Sequence, residues 1–197
     1  MPTHRASPDV LTALAFESEQ SWAAWLAANH QNSAGVWLQL AKKGSGIGSV
    51  SYAAAIEIAI CFGWIDGQKK THSEQYWLQK FAPRAKNSVW SKANKEKALA
   101  LIAAGKMAPA GLTEVERAKS DGRWDAAYDA ASKAEVPEDL QLALDNNTRA
   151  KHFFEILDSR NRYAILFRVQ TAKKTETREK RILQFVQMLA RHEKIYP

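Results

Sequence analysis

Apolar residues recur along this chain at two spacings, and each spacing predicts its own kind of element. Val36, Leu38 and Leu40 alternate with Trp37 and Gln39, the period of a half-buried strand. Trp64–Lys70 and Gln75–Ala82 read as two further strands, joined around Thr71-His72-Ser73 as a hairpin. Pro83 ends the second of these, because proline donates no ladder hydrogen bond. Helical spacing begins after Ser18, a good N-cap, where Trp22, Trp25, Leu26 and Asn29 fall at i, i+3, i+4 and i+7. Ser51 caps Tyr52–Phe62, a segment apolar almost all round and therefore central, which Gly63 stops. Between them, Lys42–Ser49 is a Gly/Ser loop. Ser91 or Asn94 caps a helix through Ala104, with Ala98, Leu101 and Ile102 inward and Gly105 as its stop. Pro109 starts a helix carrying Leu112, Val115 and Ala118, and Asp121-Gly122 ends it. Arg123–Tyr128 is an aromatic turn or short helix, and Ser7-Pro8-Asp9 opens a helix or loop near the start.

Beyond the alanine-rich Ser132–Val136 link, the pattern is purely helical. Pro137 begins a short helix, and Thr148 caps the next, whose face carries Ala150, Phe153, Phe154 and Leu157. Tyr163, Leu166, Phe167 and Gln170 form the inward stripe of a third. Ile182, Phe185, Val186 and Leu189 do so for a fourth, near Thr175–Arg191. The fold class is α+β: a small, mainly antiparallel sheet covered by helices, with a C-terminal helical bundle. Residues 1–131 form the α+β domain, and residues 132–197 a helical C-terminal region packed on it. No internal repeat or low-complexity segment is present.

Composition narrows the function. The chain carries a net charge of +7 with an isoelectric point near 9.5, which favours encounters with phosphates and anionic surfaces. The charge is segregated. Residues 66–106 hold nine basic and three acidic groups, 107–148 four and nine, and 149–197 twelve and five. Arg160, Arg162, Arg168, Lys173, Lys174, Arg178, Lys180 and Arg181 make a basic stripe in the last block. It lacks a groove-reading register, and Glu176 and Glu179 interrupt it. Its expected role is pairing with the acidic block, with at most weak, nonspecific nucleic-acid binding. A single cysteine, Cys61, excludes an internal disulfide and fits a reducing compartment. The first residues lack a long apolar core, so no signal peptide is expected. No run approaches the roughly 20 apolar residues of a membrane span. A cytoplasmic location is expected.

The densest chemistry lies between Ala59 and Asn94, where Trp64, Trp77 and Trp90 alternate with Lys69, Lys70, Lys80, Arg84, Lys86 and Lys92. Gly63-Trp64-Ile65-Asp66-Gly67 places one carboxylate between glycines in a tryptophan-rich setting. Asp66 is the one catalytic candidate, as a general base in an apolar pocket. The structural alternative, in which Asp66 accepts backbone N–H groups of the turn, stands ahead of it. Pro83–Asn94 is a donor-rich loop entering a helix N-terminus, which attracts anions through free N–H groups and the macrodipole. Trp64, Asp66, Lys69, Arg84, Ser88, Trp90, Ser91 and Lys92 are the candidate ligand-binding residues. For Ser91 as N-cap alone and Trp90 as core, the structural reading weighs equally. Lys42-Lys43-Gly44-Ser45-Gly46 lacks the GxxxxGK[ST] order of a triphosphate loop. Cys61 has no neighbouring base, and His4, His30, His72, His152 and His192 show no ligand spacing. Neither a metal nor a cofactor is expected.

Four stretches together resemble a known family: GVWLQLAKKGSGIGSVSYAAAIEIAICFGWIDGQKK, FAPRAKNSVWSKANKEKALALIAAGKMAPAGL, AKSDGRWDAAYD and SRNRYAILFRVQTAKKTETREKRI. They are similar to the bacteriocin-protection family, also called YdeI/OmpD-associated, from about Phe16 to Arg191. The resemblance implies a part in resistance to bacteriocins or envelope stress and an association with an outer-membrane porin. It assigns no catalytic residue. The expected function is that of a cytoplasmic accessory protein binding a small anionic or aromatic ligand or a protein partner. An enzyme using Asp66 on a small anionic metabolite is the first alternative, and a weak nucleic-acid binder the second.

Overall fold

A computed structural model describes residues 11–172 and 174–197. Among the described residues the elements run β1 (Ala13–Ala15), α1 (Glu19–Asn29), β2 (Val36–Ala41), α2 (Tyr52–Cys61), β3 (Trp64–Thr71), β4 (Tyr76–Pro83), α3 (Lys92–Ala103), α4 (Pro109–Ser120), α5 (Glu138–Asp145), α6 (Thr148–Glu155), α7 (Ser159–Gln170) and α8 (Thr175–Ala190). The α+β class with a helical C-terminal region is the one the sequence predicts. The chain divides into two compact units. One runs to Ser88 and resumes at Asn94–Trp124, and the other comprises Val89–Ala93 and Asp125–Pro197.

The first unit is built on the alternation in β2. Val36, Leu38 and Leu40 are buried on one face while Trp37, Gln39 and Ala41 are half-buried on the other. The sheet order is β1-β2-β4-β3. The two pairings of β4 are antiparallel, and β1 joins β2 in parallel. The strand β1 escapes the sequence pattern because its three residues, Ala-Leu-Ala, offer too short a run for a period of two. Ser18 caps α1 through a reciprocal pair with Ser21. Trp22 and Leu26 from α1, and Ala55 and Ala59 from α2, complete a core with Trp64, Phe81 and the apolar face of β2. Both deep indoles satisfy their N–H groups: Trp22 donates to the Ala55 carbonyl at 3.2 Å, and Trp64 to that of His30 at 3.1 Å. Gly63, at φ +74°, ends α2 in a conformation other residues avoid.

Leu112 departs from the predicted stripe of α4, being exposed. Gly111 lies inside in its place. A Cβ on Gly111 would sit 2.3 Å from the Cys61 carbonyl oxygen, so only glycine lets α4 approach the end of α2. Cys61 is buried, and burial pushes its thiol up from the usual range, which leaves it a packing residue.

In the second unit, four amphipathic helices bury Leu140, Leu144, Phe154, Ile165, Phe185 and Leu189 in one cluster. The α8 stripe is the predicted one. The α6 cap is Asn147 rather than Thr148: its side-chain oxygen accepts from the Ala150 N–H at 3.0 Å. On α7 the buried residues are Asn161, Ala164, Ile165, Leu166 and Val169; Leu166 keeps its predicted place, whereas Tyr163, Phe167 and Gln170 are only partly buried. The expected charge pairing is present here. Arg178 grips Asp139 through Nε at 2.5 Å and Nη2 at 2.8 Å, and Lys151 meets Asp145 at 2.8 Å. Ser7-Pro8-Asp9 and Lys173 lie outside the described residues.

Candidate functional site

The hairpin of β3 and β4 loses register between Asp66 and Lys69. The bulge at Gly67 is held by buried Gln79, whose Nε2 donates to the Gly67 carbonyl at 2.8 Å. The displaced strand places Asp66 and Lys69 beside two aromatic rings. The Tyr52 hydroxyl donates to Asp66 Oδ2 at 2.6 Å. Lys69 Nζ lies 4.4 Å from the centre of the Trp77 ring. Tyr52 and Trp77 pack edge to face with centroids 5.5 Å apart. Burial, then the Asp66 hydrogen bond, then the Asp66 charge all raise the Tyr52 phenol above its ordinary value, so it stays a neutral donor at physiological pH.

These rings form one wall of a cavity of about 410 Å³ whose rim is the Gly/Ser loop between β2 and α2. Lys42, Lys43, Ser45 and Ser49 line it from the loop, and Ser51 lines it at the start of α2. Gly44 and Gly46 adopt φ of +85° and +72°, with open space where a Cβ would stand; the loop needs glycine there for backbone conformation, not for room. Ser49 ties the loop to the sheet by accepting from the Ala41 N–H at 3.2 Å. The lining contains two lysines and no carboxylate. Ser51 accepts from the Ala54 N–H at 3.2 Å, and the first turn of α2 borders the cavity with its positive dipole end.

The remaining predicted residues take other places. Trp64 is a core side chain. Arg84 is buried, and its backbone N–H donates to the Gly63 carbonyl at 3.0 Å. Ser88 closes its own loop by accepting from the Ala85 N–H at 3.0 Å, and its carbonyl accepts from buried Arg123 at 2.7 Å. Trp90, Ser91 and Lys92 belong to the second unit. There Trp90 is buried, Ser91 bridges to Tyr128, and Lys92 pairs with Asp129 at 2.8 Å. The Lys92 hydrogen bond holds the Asp129 carboxyl below its ordinary value. Lys92 also lines a polar cavity of about 820 Å³ with Lys133, Gln170 and Arg178.

Asp66 and Lys69 therefore each meet one ring of the Tyr52–Trp77 pair, behind the cavity wall rather than in its lining, and Tyr52 and Trp77 are not among the residues predicted for the site. A signal for Tyr52 exists in retrospect: it is the one polar aromatic in an alanine- and isoleucine-rich helix, placed directly after a Gly/Ser loop. The loop gives no such signal, because its glycines follow no triphosphate pattern.

Comparison with known proteins locates two families along the chain. Residues 14–114, which contain the cavity, match the family described as Domain of unknown function (DUF8412). Residues 133–192 match the family described as Bacteriocin-protection, YdeI or OmpD-Associated, a span that holds only the last of the four stretches that resemble it. No curated protein and no solved structure matches. The chain thus belongs to the DUF8412 family, and residues 133–192 of its second unit are similar to the bacteriocin-protection, YdeI or OmpD-associated family.

Proposed function

We propose that this protein is a cytoplasmic accessory protein of bacteriocin or envelope-stress resistance, and that it binds a small anionic ligand with a planar ring in the cavity between the Gly/Ser loop and the hairpin. One observation carries the binding reading: a cavity walled by Tyr52 and Trp77 is rimmed by Lys42 and Lys43 without a carboxylate in its lining. A planar ring gains area and edge-to-face contact against the two aromatics. An anionic group gains the two ammonium groups and the N-terminal end of α2. Its volume of about 410 Å³ falls in the range of small-molecule sites. The resistance role comes from the family of residues 133–192. The buried single thiol supports a reducing compartment.

Binding rather than catalysis fits the disposition of Asp66. One of its oxygens already accepts the Tyr52 proton-bearing hydroxyl, which serves to orient that ring. Genetic complementation tests the proposal. A strain lacking the gene is challenged with a bacteriocin and supplied with the normal chain or with Lys42→Glu/Lys43→Glu. Protection restored by the normal chain and withheld by the folded double variant supports the reading. Equal protection by both overturns the cavity's part in it, and no sensitivity in the deletion strain overturns the resistance role.

A further inference from the structure

The second unit contains a cavity that the reading above does not use. Its wall is one stripe of α7, where Arg160, Tyr163, Ala164, Phe167 and Arg168 recur at i, i+3, i+4, i+7 and i+8. The cavity measures about 480 Å³ and is bordered by Tyr196. Tyr196 is held there by a buried side chain on the neighbouring face of the same helix. Asn161, 2% exposed, accepts from the Tyr196 N–H at 2.8 Å and donates to the Tyr196 carbonyl at 3.1 Å. That clamp straps residues 193–197 across α7 and sets the Tyr196 ring beside two guanidinium groups. Arg160 lies 4.2 Å from its centre and Arg168 5.7 Å.

Arg160 lies over the Tyr196 ring and Arg168 at its hydroxyl end, and neither is neutralised. Arg168 donates to the Ala164 carbonyl at 3.1 Å and to the Tyr196 hydroxyl at 3.4 Å, and no carboxylate lines the cavity. Among the described residues neither Arg160 nor Arg168 is in an ion pair, whereas Arg178, Lys151 and Lys92 of the same unit each meet an Asp. A guanidinium has five N–H groups, so Arg160 over the ring and Arg168 beyond its two bonds both keep donors for a planar oxyanion. The floor is aromatic and rigid. Phe167 packs edge to face on Tyr128 with centroids 4.8 Å apart, and the Tyr163 hydroxyl is fixed on the Asp129 carbonyl at 3.0 Å.

We propose that this cavity is a second binding site, one that takes an aromatic acid: the ring lies against Tyr163 and Phe167, and the carboxylate or phosphate is received by Arg160 and Arg168. It is independent of the Gly/Ser-loop cavity and stands whether or not that site binds a ligand.

The full chain, labelled with ¹⁵N, is titrated with 1-naphthoate, 1-naphthyl phosphate and neutral 1-naphthalenemethanol while its amide spectrum is followed. At least one acid is expected to move the amides of 159–168 and Tyr196 saturably, at least tenfold more tightly than the alcohol; which acid does so identifies the oxyanion. Arg160→Gln/Arg168→Gln is expected to weaken that binding at least tenfold with the rest of the spectrum intact. Should the double variant lose its folded spectrum, the preference of the normal chain for acid over alcohol decides alone. Absence of saturable shifts at those amides with both acids, equal binding of the alcohol, or undiminished affinity in a folded double variant overturns the proposal. Shifts confined to residues 42–52 would speak for the first cavity and against this one.

Discussion

The two units use different cores, and each makes its cavity in a different way. The first buries indoles between two helices and a sheet: Trp22 stacks on Trp25 with centroids 5.5 Å apart and packs against Phe81 at the same distance. The second, beside one buried indole at Trp90, packs its main cluster from aliphatic side chains and phenylalanines between amphipathic helices. In the first unit the cavity comes from irregular backbone, a loop whose glycines at 44 and 46 turn through positive φ. In the second it comes from a regular helix stripe covered by a strapped segment. Regular structure carries the scaffold in both; only in the first does the chemistry rest on a loop.

Removing a core anchor is expected to have the largest effect in either unit. Phe185→Ala and Trp22→Ala should each cost about 3–5 kcal/mol, read by chemical denaturation, since both side chains are buried. Deleting residues 175–197 should destabilise or aggregate the chain rather than leave its melting temperature intact, because α8 supplies Ile182, Phe185, Val186 and Leu189 to the second core. An unchanged melt would mean that α8 is not a core element.

Gly111→Ala comes next, at about 1–3 kcal/mol, because the new methyl meets backbone rather than a side chain able to swing away. The same change at Gly44 or Gly46 meets open space and acts only through backbone strain. Ranking these variants by thermal melt separates packing glycines from turn glycines.

A smaller effect belongs to the Asp139–Arg178 pair. The Arg178 hydrogen bond holds the Asp139 carboxyl below its ordinary value. A depressed folded-state value means stability that is fully present above the unfolded value of about 3.9 and is lost as pH falls through the folded one. The pair is partly exposed, so Asp139→Asn should cost no more than about 1 kcal/mol at neutral pH and flatten the acid limb of the stability profile. Smallest of all is nucleic-acid affinity: several residues of the basic stripe have internal partners, Arg178 on Asp139 and Arg181 on the Arg168 carbonyl. Binding to DNA should be weak and fall steeply with salt in a filter or mobility assay.

The contrast also explains what could be read from the chain alone. The strand β2, the hairpin and the α8 stripe are legible because burial imposes a period of 2 or 3.6 on consecutive residues. The three-residue β1 carries no such period. On α7 the aromatic spacing misleads: Tyr163 and Phe167 have the look of core residues but are partly exposed and wall a cavity, while buried Asn161 holds the Tyr196 backbone. None of the predicted site residues lines the first cavity. Asp66 and Lys69 stand in a composition-rich stretch and only hold its two rings, Tyr52 and Trp77; the Lys42–Ser49 loop meets those rings through the crossing of β2, α2 and the hairpin, long-range contacts that no local pattern encodes.

The central claim, that the Gly/Ser-loop cavity receives an anion on a planar ring, is tested most directly by titrating ¹⁵N-labelled full chain with adenosine monophosphate and with adenosine. Saturable shifts are expected at the amides of residues 42–52 and at the Trp77 indole. The nucleotide should bind at least tenfold more tightly than the nucleoside, and Lys42→Glu/Lys43→Glu should remove that preference without lowering the melting temperature. Absence of saturable shifts at those positions, or a nucleotide preference that survives the double substitution, would contradict the account.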